Sequence, residues 1–165
     1  MNLIVAVDER WGIGREGNLL ASLPGDMAYF KEMTMDKVVV MGRKTLESLP
    51  GKRGLPHRVN YVITRNAEFN AERCVVLHDD EEISCALGKH DADDIFIIGG
   101  ESIYRKFYKE CKECYVTKID ADLGADRFMP DLDADSDFRL VRQGRLNSEN
   151  GIDYRFCVYR NMRTD

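Results

Sequence analysis

The chain has 165 residues, with 24 Lys and Arg against 29 Asp and Glu, for a net charge of −5. That length suits one domain over 1–165 whose core needs no disulfide or metal staples. The acidic balance argues against nucleic acid as a partner. The lack of a basic leader, and of any apolar run near the ~18 residues of a membrane span, argues for a cytoplasmic protein without membrane contact, expected to be a monomer.

The first element in chain order is a strand at "LIVAV" (3–7), apolar and β-branched. Between Asp8 and Leu23 runs a long connection containing "GIGREG" (12–17). It matches Gly-x-Gly-x-x-Gly, but a dinucleotide fingerprint needs a strand leading straight into it and a helix opening from it. Here "DERW" intervenes, and Pro24 stops a helix from passing through. A Gly-hinged lid is the expectation instead. A helix follows over 25–34, with Pro24 at its first position and Asp26 in its first turn. The helix dipole alone favours an acid there by about 0.3–1 kcal/mol. Asp26 also shares a stripe with Tyr29, Phe30 and Met33, away from Lys31 and Glu32, so its carboxyl is expected to point inward.

"KVVVM" (37–41) suits a strand buried on both faces, and it runs into Gly42 and a helix over 43–48 opened by Arg43, Lys44 and Thr45. "VNYVIT" (59–64) ends in Thr64 beside Arg65. "CVVL" (74–77) leads to a helix over 80–88, and "DIFIIG" (94–99) reaches Gly99-Gly100 before a helix over 101–109. The amides of Glu101, Ser102 and Ile103 would be free donors aimed at an anion, although a plain turn capped by Ser102 accounts for the same residues. Cationic strand ends beside helix starts make a phosphate cradle, on the carboxyl edge where α/β sheets bind ligands.

Cys111 and Cys114 form "CKEC" at a helix end, with no second ligand pair; they read as structural thiols, and no metal is expected. A strand at "CYVTKI" (114–119) follows. The aspartates of 120–136 lack the Gly and closing Glu of a calcium loop and read as a solvated acidic loop. "FRLVRQGRL" and "DYRFCVYRN" alternate on either side of "NSENGI", as an antiparallel hairpin would. The expected class is α/β: one domain with a central, predominantly parallel mixed sheet of about eight strands, a C-terminal antiparallel hairpin and about four flanking helices.

The ordered set "LIVAVD", "GIGREGNLL", "LPGDMAYFKEMT", "VVMGRKTLESL", "GLPHRVNYVITR", "IFIIGGESIY", "CYVTKID" and "GADRFMPD" resembles the dihydrofolate reductase family over essentially the whole chain. The resemblance implies NADPH-dependent reduction of 7,8-dihydrofolate to tetrahydrofolate, in service of one-carbon and thymidylate metabolism, and sensitivity to antifolate inhibitors. It implies Asp26 as the pocket's acid on the pterin, supported by Thr117. Ile4, Val5, Ala6, Ile98 and Tyr104 would flank pterin and nicotinamide. Met27, Phe30 and Leu49 would pack on the substrate, Leu55 would meet its aminobenzoyl group, and Arg58 would pair with the α-carboxylate of its glutamate tail. Gly42, Arg43, Lys44, Thr45, Thr64 and Arg65 would hold cofactor phosphates, Arg43 and Arg65 near the 2′-phosphate. Gly99, Gly100, Glu101, Ser102, Ile103 and Tyr104 would line the pyrophosphate and nicotinamide. Ile13, Gly14, Asn18 and Leu19 would contact the cofactor from a loop, Gly14–Ser22, closing over it.

One departure stands out. Where the family usually reads Leu-Pro-Trp or a close variant before the first helix, this chain has Leu19, Leu20 and Ala21, and its one Trp is Trp11. A lesser one is a longer "PGKRG" (50–54). Asp26 lies too far from N5 in the family pose for direct transfer. An ionised Asp26 that raises N5 basicity through the ring, with a water delivering the proton, is the expected arrangement, and apolar neighbours such as Phe30 and Met27 should raise the Asp26 pKa. Two other readings remain open at this stage: a reductase of another pterin or of a ribosylaminopyrimidine, and a non-catalytic nucleotide-binding module.

Overall fold

In the computed structural model, which describes residues 1–164, the apolar runs become strands of one sheet. The elements in order are β1 (Asn2–Val7), β2 (Gly12–Gly14), α1 (Pro24–Thr34), β3 (Val38–Gly42), α2 (Arg43–Ser48), β4 (Val59–Ile63), β5 (Cys74–Leu77), α3 (Asp80–Leu87), β6 (Ile95–Gly99), α4 (Glu101–Phe107), β7 (Glu113–Ile119), β8 (Arg127–Phe128), β9 (Phe138–Gln143), β10 (Asn147–Glu149) and β11 (Ile152–Asn161). The main sheet is nine-stranded and runs β10-β11-β7-β1-β6-β3-β4-β5, with β9 also on β11. From β7 to β5 every neighbouring pair is parallel, and β11 joins antiparallel. Val38 to Met41 and Ile95 to Ile97 are buried throughout, as strands covered on both faces must be.

The C-terminal hairpin is more elaborate than its sequence suggests. β11 is long enough to pair β10 through Ile152–Tyr154 and β9 through Cys157–Asn161, with a bulge between Val158 and Tyr159. The turn-rich "NSENG" thus contains a short strand. The acidic loop is also more structured than a solvated run: Lys109 pairs with Asp135 and Asp137 at 2.8 and 2.9 Å, and Lys118 with Asp133 at 2.7 Å. Cys111 and Cys114 are free and fully buried, and burial pushes the Cys111 thiol up to about 12, as structural thiols require. Among the described residues no cluster could hold a metal ion, and no helix is long and apolar enough to cross a membrane.

Candidate active site

The chain leaves β1 for β3 on one side, and later leaves β6 for β7 on the other. The order therefore reverses between β1 and β6, where an α/β sheet opens a crevice at its carboxyl ends. The registers show how the crevice opens. β1 stays paired with β7 from Asn2 to Val7 but with β6 only at Asn2 and Leu3. Past that point the Ile4 carbonyl loses its strand partner and instead accepts the Tyr104 hydroxyl at 2.8 Å. That bond spans 100 positions and satisfies a carbonyl at the floor of the cleft, where a stray acceptor would be costly. Tyr104 is fully desolvated and its pKa is pushed up, so it stays a neutral donor. Gly99, at φ 118°, allows the close approach: a Cβ there would meet the Tyr104 ring at 3.1 Å. The Gly99–Gly100 bond is cis.

Asp26 faces this crevice from the first turn of α1. Thr117, on β7 opposite Ala6, donates its hydroxyl to Asp26 Oδ1 at 2.6 Å. Burial raises the Asp26 pKa from 3.8; the Thr117 bond opposes that shift, and the charge of Glu149 adds to it. The site thus contains an acid whose proton is held more tightly than usual, next to a short donor that favours its ionised form. Leu49, Leu55 and Ile98 gather on the other wall, packed against Val39, Met41, Leu46 and Val62. Phe30 is half-buried one turn from Asp26, while Met27 is 58% exposed and Leu19 76% exposed. Arg58 lies at the far end. Its Nε and Nη2 donate to Thr34 Oγ1 at 3.3 and 3.2 Å, and its Nη1 to the Pro56 carbonyl at 2.7 Å. It has no carboxylate partner among the described residues.

On the cofactor side, β3 and β6 end in Gly42 and Gly99; α2 starts directly after Gly42, and α4 after the one intervening residue Gly100. A Cβ on Gly42 would stand 3.2 Å from Ile103 Cγ1, so glycine is what lets α4 settle against β3. The first helix-type bond of α4 runs from Tyr104 N–H to the Gly100 carbonyl, leaving the Glu101, Ser102 and Ile103 amides ahead of it. Ser102 does not cap the helix, whose N-cap is Gly100. The Glu101 carboxylate accepts the Phe128 N–H at 2.6 Å and so belongs to the loop support. A cavity of about 570 Å³ opens beside these ends, lined among others by Thr64, Arg65, His78, Ser102, Ile103 and Lys106. Arg65 is unpaired among the described residues, whereas Arg43 pairs with Glu47 at 3.4 Å and Lys106 with Asp80 at 2.7 Å.

Of the expected lid residues, Ile13 and Gly14 lie in β2 and Asn18 in a turn, while Leu19 lies in the irregular stretch before α1. β2 pairs with β8, Glu16 N–H donates to Asp126 at 2.9 Å, and Arg15 and Asn18 close a tight turn. Asp8, only 1% exposed, anchors the base by accepting Gly12 N–H at 2.8 Å and Leu123 N–H at 3.0 Å. Trp11 is no substitute for the missing family Trp. It is buried in the core, edge-on to Tyr159 at 5.7 Å and under Lys118. Ala21 instead packs with Ala6 around Leu23, Ile119 and Tyr154. The "PGKRG" stretch closes as a short helical turn with Gly51 at φ 71°.

Reasoning from sequence missed His78, Asp8 and Glu149. His78 stands just past the end of β5, where the strand-end rule would have found it; it bonds the Thr64 carbonyl at 3.0 Å. Glu149 carries no local signal, because Gly25 is 124 residues away; Asp8 accepts the nearby Gly12 N–H, but its tie to Leu123 spans 115 residues.

Residues 1–161 match the family model described as "Dihydrofolate reductase". The chain is 39% identical over 160 residues to a dihydrofolate reductase of Enterococcus faecium, covering 95% of this chain and 94% of that one. It is 33% identical over 161 residues to one of Bacillus subtilis (strain 168), covering 96% and 93%. A solved dihydrofolate reductase from Enterococcus faecalis, complexed with NADP(H) and RAB-propyl, superposes with a TM-score of 0.84 at 33% identity, covering 96% of this chain and 94% of that one.

Proposed function

The chain belongs to the dihydrofolate reductase family, and from that premise we propose that it reduces 7,8-dihydrofolate to 5,6,7,8-tetrahydrofolate with NADPH, hydride going to C6 and a proton to N5. The observation that carries this reading is the Asp26–Thr117 pair at 2.6 Å beside the opening between β1 and β6. A carboxylate there suits the 2-amino and N3 edge of a pterin, which needs an acceptor. Held ionised by Thr117, Asp26 raises the proton affinity of N5 through the ring, and a water delivers the proton on the far side. Ile4, Val5, Ala6, Ile98 and Tyr104 orient the ring, and the apolar wall of Phe30, Met27, Leu49 and Leu55 excludes water from it. Arg58, partly desolvated and without an ion-pair partner among the described residues, suits the α-carboxylate of a glutamate tail.

The donors near the cavity beside Arg65 and Ser102 fit NADPH. Arg65, with His78 beside it, suits a 2′-phosphate; Arg43, Lys44, Thr45 and Ser102 with the Gly42 and Gly99-Gly100 strand ends suit the pyrophosphate; Ile13, Gly14, Asn18 and Leu19 suit the nicotinamide side. NADPH, when bound, supplies the hydride. The same reading takes the chain as one domain and a cytoplasmic monomer that feeds one-carbon and thymidylate metabolism and binds antifolates. Arg58 weighs against a ribityl-phosphate substrate, which has no carboxylate tail. Following NADPH absorbance tests the reading. Loss is expected only with dihydrofolate present, and a diaminopyrimidine antifolate should stop it; no dihydrofolate-dependent loss would overturn it.

A further inference from the structure

The helix that carries Asp26 has no local cap. Its N-cap is Leu23, whose side chain accepts nothing, and Pro24 after it has no N–H. The next free donor, Gly25 N–H, is met from across the chain. Glu149 on β10, 124 residues away, accepts it at 2.9 Å through Oε1 and 3.3 Å through Oε2. The Tyr154 hydroxyl of β11 donates to the same Oε1 and holds the carboxylate in place. Residue 25 is fitted to this contact: a Cβ there would stand 2.5 Å from Tyr154 Oη and 2.6 Å from Glu149 Oε1. A Cβ at residue 25 would therefore force the Glu149 carboxylate and the Tyr154 hydroxyl away from Gly25 N–H.

We propose that Glu149 is a positioning residue for Asp26: the C-terminal hairpin supplies the cap that α1 lacks, and so fixes the turn from which Asp26 reaches Thr117. The proposal rests on the reading of Asp26 given above. The cap also brings a second carboxylate toward Asp26. The titratable and hydrogen-bonding groups around Asp26 are Thr117 from β7, Tyr104 from α4, Tyr29 from α1, and Glu149 and Tyr154 from the hairpin. Glu149 is the only other carboxylate among them, and its charge opposes the ionisation of Asp26. The helix dipole pulls the other way.

Two variants of the full chain separate cap from charge. Glu149→Gln keeps an oxygen for Gly25 N–H and removes the charge; Glu149→Ala removes both. With Gln, the titration midpoint of the Asp26 carboxyl, followed by carbon-13 NMR in the ligand-free protein, should move to lower pH. The midpoint of the pH profile for hydride transfer should move with it. With Ala, kcat should fall several-fold at every pH while KM for NADPH holds. Gly25→Ala, which keeps Glu149 but displaces it, should reproduce the kcat loss if Glu149→Ala does not fold. An unmoved Asp26 midpoint in the Gln variant, or parental kcat in both Glu149→Ala and Gly25→Ala, would overturn the proposal. Full activity in Asp26→Asn would instead overturn the role given to Asp26, leaving the NMR midpoint as a test of Glu149 alone.

Discussion

Replacing Thr117 by Val removes one hydroxyl at nearly constant volume, and its cost can be worked from the geometry. Thr117 is 2% exposed, and its donor sits 2.6 Å from Asp26 Oδ1. A hydrogen bond to a charged group contributes about 1.5–3 kcal/mol, against about 0.5–1.5 kcal/mol between neutral groups. The loss in Thr117→Val should therefore be about 1.5–3 kcal/mol when Asp26 is ionised, or about 10- to 150-fold in the folding equilibrium. It should shrink to the neutral range when Asp26 is protonated. The sign follows from the pKa. Asp26 is already raised above 3.8 in the folded chain, and losing a donor to its charged form raises it further. The folded variant then holds the proton more tightly than the unfolded chain, so stability falls further in total as pH rises through the Asp26 value. Urea unfolding at about pH 8 and about pH 4 gives both costs. Equal losses at the two pH values would refute the claim that Thr117 acts on the ionised form.

Asp26→Asn should stabilise the fold at neutral pH, since a buried acid with a raised pKa costs stability above that value; the gain should fade as pH drops toward 3.8, and thermal melts across pH would reveal a constant difference if the shift were absent. Arg65→Ala should cost about 1.5–3 kcal/mol of NADPH binding and little of NADH binding, and an unchanged preference in steady-state kinetics would remove Arg65 from the 2′-phosphate site. Arg58→Lys keeps the charge but loses the fork, so KM for dihydrofolate should rise about tenfold with kcat held, while a glutamate-free pterin substrate should be unaffected; equal effects on both substrates would contradict a tail contact.

Much of this could be read from the chain because side-chain type decides it. "VVV" and "FII" can only be strands covered on both faces, and they lie at the sheet centre as β3 and β6. Glycines at strand ends mark where backbone must come close, which is why Gly42 and Gly99 were legible. Asp26 was legible from helical periodicity, since an acid on the aromatic stripe has to face inward. What escaped depends on backbone pairing between distant segments. β2 and β8 have no composition of their own; they pair because Asp8, Glu101 and Asp126 accept amides from one another's loops. β10 lies in residues that favour turns, and Glu149 becomes meaningful only when β11 brings it to Gly25. The buried position of Trp11 was hidden too, because its packing partners Tyr159 and Lys118 are distant in the chain.

The role proposed for Asp26 is to govern the proton at N5 rather than to hold the cofactor. The most direct measurement is single-turnover hydride transfer, followed by NADPH absorbance across pH in the parent and in Asp26→Asn, with NADPH affinity taken in parallel. The predicted result is a rate reduced by about 10²- to 10⁴-fold near neutral pH, with NADPH affinity nearly unchanged. A small loss of rate, or equal losses of rate and NADPH affinity, would contradict it.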